Sequence, residues 1–113
     1  MNHPIDAGDL ESALEDCGRE LDRVTTRLER TAERHWASSA ALAYACSVRL
    51  RELDLALGAA GPADLPVIAA RAAAAQLTVI ARDLMTTARH HPDGAPSLVE
   101  ANELLANLRR ELP

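Results

Sequence analysis

Apolar side chains return at alternating intervals of four and three along the first part of the chain: Leu10, Leu14, Cys17, Leu21, Val24 and Leu28. That spacing draws one stripe along one face of a helix, and it predicts an amphipathic helix over residues 9–35 capped by Asp6 or Asp9. A second set, Ala43, Cys46, Leu50, Leu53 and Leu57, predicts a helix over 39–57 that stops at Gly58-Ala-Ala-Gly61-Pro62. Asp64 is placed to cap a third helix over 64–90, with Pro66 in the first turn, where its missing N–H is not needed. Between Val67 and Leu84 this helix is apolar on nearly every side, broken only by Arg71, Gln76, Arg82 and Asp83. Such a helix requires cover on more than one face, from its own fold or from another chain. Ser97-Leu-Val-Glu100 reads as a capping box that opens a short last helix over 97–112. Leu98, Ala101, Leu105, Leu108 and Leu112 stripe that helix.

One junction stays open. No Gly or Pro lies between Glu33 and Ser47, so the first two sets form either one helix of ~75 Å or two helices with a bend at Trp36. The stripe slips in phase near residues 35–43, which favours the bend. A bent hairpin would place Cys17 opposite Leu57 and Cys46 opposite Leu28, leaving the sulfurs ~16 Å apart and outside disulfide reach. Two free thiols are therefore expected.

Composition fixes the class. At 113 residues the chain is one domain, 48% apolar and 26% charged. Ala and Leu supply most of the apolar fraction and strand-favouring residues are scarce, so the expected fold is an all-α helical bundle. A net charge of −5 argues against nucleic-acid binding. All twelve basic residues are Arg, a coding bias of GC-rich genomes such as those of actinobacteria, and lysine-based chemistry is excluded. The first residues carry no apolar signal segment and no run approaches a membrane span, so synthesis in the cytoplasm is expected.

Arg19, Arg23, Arg27, Arg30 and Arg34 fall on one narrow face of the first helix, beside an acidic band of Glu11, Glu15, Asp22, Glu29 and Glu33. This is a candidate electrostatic docking face, or else a solvated face laced with weak pairs such as Glu15–Arg19. His3, His35, His90 and His91 show no HxxxH or ExxH spacing, so no metal site is expected. Ser38, Ser39 and Cys46 lie near His35, but no carboxylate is spaced to orient that imidazole for nucleophilic catalysis. No phosphate-cradling glycine loop is present, and neither an enzymatic activity nor a cofactor is expected.

Trp36 and Tyr44 are the only Trp and Tyr, and there is no Phe. Trp36-Ala37-Ser38 followed by Ala43-Tyr44 resembles the centre of the WxG helical-hairpin family, substrates of type VII secretion, over residues 8–58. Ser38 stands where that family has Gly, and Tyr44 is followed at the fourth position by Val48 where an exported member carries an acidic residue. The resemblance implies a hairpin that pairs with its own copy or with another small helical protein, with Trp36 half-buried at the turn. Trp36, Ser38 and Tyr44, together with Ala72, Ala75 and Val79 of the apolar third helix, are the candidate turn and interface residues. The leading expectation is a helical interaction protein, a type VII secretion substrate or its partner, made without a signal peptide. The alternative is a cytosolic regulatory or immunity-type binding protein that uses the arginine face. A small all-helical enzyme is a third, weaker reading.

Overall fold

The leucine stripe and the alanine-rich segments build four helices in the computed structural model, which describes residues 7–113. They are α1 (Ala7–Glu29), α2 (Trp36–Ala56), α3 (Ala73–Arg89) and α4 (Gly94–Glu111), with no strand among the described residues. The fold is an all-α helical bundle. Leu14, Cys17, Leu21 and Val24 of the predicted stripe are buried, and Leu10 and Leu28 pack partly buried against them. α1 begins earlier than expected, so Asp9 sits in the first turn and not at the cap; Asp6 and His3 lie outside the described residues.

The first two periodic sets are separate helices, and the break lies at residues 30–35, before Trp36. It needs no glycine because it needs no left-handed residue: among the described residues only Gly58 and Gly61 have positive φ. Ala32 is simply extended, with ψ 146. Side chains satisfy the carbonyls that the break frees. The Thr31 hydroxyl donates to Arg27 O at 2.9 Å, and the Trp36 indole N–H donates to Thr31 O at 2.9 Å. A short 3-10 turn over Glu33–His35 then leads into α2. A break is therefore found, but it falls at residues 30–35, inside the helix expected over 9–35, and Trp36-Ala37-Ser38 is the first turn of α2 and not the turn itself.

Contacts fix the directions. Glu20 of α1 meets Arg109 of α4, and Arg27, two turns later, reaches the carbonyls of Leu112 and Pro113, so α1 and α4 run parallel. Trp36 and Ala40 at the start of α2 border one cavity with Ala70 and Ala74, and Tyr44 borders another with Gln76, so α2 and α3 also run parallel. The four-residue connection between α3 and α4 makes those two antiparallel. α1 and α2 thus reverse direction but make almost no direct contact, each packing instead on α3 and α4. The expected face-to-face hairpin is not what forms, because α3 and α4 lie between its two arms.

Parallel α2 and α3 require a crossover, and residues 57–69 supply it. Leu57 is the C-cap of α2; Gly58 N–H donates to Leu55 O and Ala59 N–H to Asp54 O, a Schellman stop with Gly58 at φ 96. The chain then runs back along α2 as a strap. The Arg51 guanidinium donates to Ala60 O and Pro62 O, the Tyr44 hydroxyl to Leu65 O at 2.7 Å, and the Gln76 amide to Pro66 O at 2.9 Å. This corrects the third helix predicted over 64–90: Asp64 and Pro66 belong to the strap, and α3 starts at Ala73 after a 3-10 turn over Ala70–Ala72.

α3 is covered by the other three helices. Ala73, Leu77, Ile80, Ala81, Leu84 and Ala88 are buried, leaving Ala75 exposed and Val79 58% exposed. The apolar excess that suggested a second chain is thus mostly absorbed within this one. The last helix also starts three residues before the predicted Ser97 cap. Pro96 is accepted in its first turn, and Gly94 packs so close that an added Cβ would lie 2.0 Å from Ala88 O. Cys17 and Cys46 are both free and buried. The separation expected for them assumed a face-to-face hairpin and does not apply.

Candidate functional site

A cleft of about 860 Å³ lies at the end of the bundle where α1 and α4 finish. Arg19, Arg23, Arg27, Arg30 and Arg34, the whole predicted arginine face, line it. The first four come from a single helical face at intervals of four, four and three, which places successive guanidinium stems ~6 Å apart. Arg34 arrives differently: the break after α1 turns the chain so that Arg34 and His35 form one wall. Arg109 and Pro113 bring the end of α4 to the other side.

Several of these side chains are held in place. Glu20 is 7% exposed beneath the cleft, and its carboxylate pairs with Arg109 across to α4 and with Arg23 at 3.7 Å on its own helix. Arg27 donates to Leu112 O at 3.2 Å and Pro113 O at 3.4 Å, the unpaired carbonyls at the end of α4. Arg34 Nε donates to the ring Nε2 of His35 at 3.2 Å. Arg19 has only an exposed pairing with Asp16 at 3.5 Å, which is worth little. The Arg30 guanidinium has no ion pair or hydrogen bond among the described residues.

The charge distribution is lopsided. Six of the twelve Arg and one carboxylate, Asp22, line the cleft; the rest of the chain holds six Arg against sixteen Asp and Glu. A chain that is acidic overall has thus concentrated its cations in one concavity. Low-dielectric walls focus such a field and raise the local concentration of anions.

The other candidates are dispersed. Trp36, 40% exposed, borders a small cavity of about 210 Å³ between α2 and α3, and its indole N–H is already used in the break. Ser38 is exposed in the first turn of α2, with its hydroxyl on His35 O. Tyr44 is spent on the strap. Ala72 is half-buried in the 3-10 turn, and Ala75 and Val79 face outward from α3. They form no joint surface with Ser38. His35 points to Arg34, whereas Ser39 is buried with its hydroxyl unpartnered, so no Ser–His pairing is made. Among the described residues no cluster of His, Cys, Asp and Glu suited to a metal ion is found. Both thiols are pushed up by burial, Cys17 to about 11 and Cys46 to about 12, the latter also raised by Cys17.

Sequence reading found the arginine face, Arg34 included, but missed the wall that Arg109 and Pro113 supply from α4. Arg109 sits in the last turn of α4 beside the leucine stripe, a position that marks it only as a helix-end cation. No protein-family model, characterised protein or solved structure matches the chain.

Proposed function

We propose that this protein is a non-enzymatic helical docking protein that receives an acidic protein partner in the arginine cleft. The carrying observation is the convergence of Arg19, Arg23, Arg27, Arg30 and Arg34 with Arg109 in one concavity of an otherwise acidic chain. A merely solvated helix face would pair its arginines with the acidic band beside it. Here the Arg30 guanidinium has no partner among the described residues and Arg109 is recruited from α4. The reading is tested by titrating the protein with poly-glutamate at low ionic strength. Binding that weakens with salt, and is lost in Arg19→Glu/Arg30→Glu, supports it; retention of binding in that variant sinks it.

A second reading, pairing with a copy of itself or a sister protein as in type VII secretion substrates and their adaptors, is favoured by one observation. The chain reverses immediately before Trp36, and Val67 and Val79 remain largely exposed near the Ala72–Ala75 segment. If this reading holds, native mass spectrometry gives a dimer that Val79→Glu dissociates and Arg30→Glu does not.

A further inference from the structure

We infer that the occupant of the arginine cleft is an acidic α-helix laid along α1, presenting carboxylates at positions i, i+4 and i+8 to Arg19, Arg23 and Arg27. This rests on the docking reading and narrows it to one kind of partner.

Spacing is the first argument. Arg19, Arg23 and Arg27 stand ~6 Å apart along the helix axis, with Arg30 a further ~4.5 Å on. A single phosphate or carboxylate bridges at most two neighbouring forks, as Glu20 does with Arg23 and Arg109, and leaves the rest of the row unused. A second helix with acids every fourth residue repeats the same ~6 Å rise and meets them in turn. Orientation is the second. Glu20 fixes Arg109 and the end of α4 fixes Arg27, so these two forks are set in position before a partner arrives, with Arg23 drawn toward Glu20 at 3.7 Å between them. Arg30, a turn further on, has no partner among the described residues.

The lining chemistry separates a protein helix from a nucleic acid strand. Thr26, Ala32 and Pro113 give the cleft small, partly apolar patches suited to side-chain packing. No Trp or Tyr lines it, and its one ring, His35, is held edge-on by Arg34, so unstacked bases would find no row of aromatic platforms. A helix of about three turns is as long as the ~16 Å row from Arg19 to Arg30, so its carboxylates stay within the basic cleft.

Fluorescence anisotropy with labelled peptides tests this. One Ala-rich helical peptide carries Glu at i, i+4 and i+8. A second has the same composition with its Glu residues spread around the helix. Poly-glutamate and a single-stranded oligonucleotide complete the set, all at low salt. The patterned helix is expected to bind at least ~10-fold tighter than the scrambled one, with that margin lost in Arg23→Gln/Arg30→Gln and kept in Arg49→Gln/Arg82→Gln. Circular dichroism confirms that the variants fold, and Arg19→Gln/Arg30→Gln offers a second pair without the Glu20 contact. Equal binding of patterned and scrambled helices, or tighter binding of the oligonucleotide, overturns the helix proposal while leaving an anion-docking cleft. Failure of every polyanion to bind overturns the docking reading as well.

Discussion

Glu20 of α1 and Arg109 of α4 form an ion pair that joins the two helices whose ends enclose the cleft. Glu20 is buried, Arg109 is about a third exposed, and Arg23 reaches the same carboxylate from the solvent side. One side chain therefore performs two tasks that pull in opposite directions. Its charge holds the Arg109 guanidinium in place and attracts Arg23, and the same charge subtracts from the positive field they produce.

Glu20→Gln separates these tasks. The amide keeps a hydrogen-bond acceptor but loses the ionic attraction, so unfolding free energy should fall by about 1–2 kcal/mol. Poly-glutamate affinity should rise over the same substitution, because one negative charge is removed from beneath the cleft. Denaturant titration and anion binding on the same preparation check both signs. A residue with a purely structural role would lower stability and binding together.

The strap depends on Arg51. Its guanidinium pairs with Asp54 at 3.3 Å and bonds the carbonyls of Ala60 and Pro62, and Asp54 is 2% exposed with one carboxylate oxygen already unpartnered. Arg51→Ala leaves that carboxylate buried without its cation, a change that costs about 3–5 kcal/mol. Tyr44→Phe removes one hydrogen bond to Leu65 and should cost only about 1 kcal/mol. Limited proteolysis should cut residues 57–69 readily in the first variant and weakly in the second.

Three glycines should respond to alanine in three ways. Gly18 lies within α1, and a Cβ there meets Met85 Cε at an ordinary 3.7 Å, so Gly18→Ala should stabilise by ~0.5–1 kcal/mol through helix propensity. Gly58 has open space around it but φ +96, so Gly58→Ala should cost ~1–2 kcal/mol in backbone strain. Gly94→Ala forces a Cβ to 2.0 Å from Ala88 O, and α4 must shift off the end of α3. That variant should lose ~3 kcal/mol or more, and thermal melts of the three proteins rank them directly.

The same residues show how much of the fold was legible. The stripes of α1 and α4 are local and periodic, so Leu14, Leu21, Leu98 and Leu105 could be assigned to a core from spacing alone. The strap could not. Asp64 and Pro66 mimic a helix start, and only the distant donors Arg51, Tyr44 and Gln76 make an extended path satisfactory there. Ser97 mimics a cap for a similar reason, since the earlier start at Gly94 depends on its close packing against Ala88. At the cleft, the α1 arginines follow from helical periodicity. The approach of Arg109 depends on α1 and α4 running parallel, which no local pattern encodes.

The buried thiols give a prediction in pH. Cys17 rises to about 11 and Cys46 to about 12 from an ordinary 9.0, both chiefly because burial disfavours the thiolate. Their folded values lie above the unfolded one, so their stabilising contribution is complete below pH 9. Above that the unfolded chain sheds its thiol protons first, and stability should fall by up to ~1.4 kcal/mol per pH unit for each thiol, until the folded values are reached. The chain holds no Lys, and Tyr44→Phe serves as the background so that the two cysteines are the groups compared. Urea unfolding from pH 8 to 11 should show the decline in that background. Adding Cys17→Ala and Cys46→Ala should flatten it while lowering stability at pH 8. An equally steep decline without the two cysteines would mean that some other group controls alkaline unfolding.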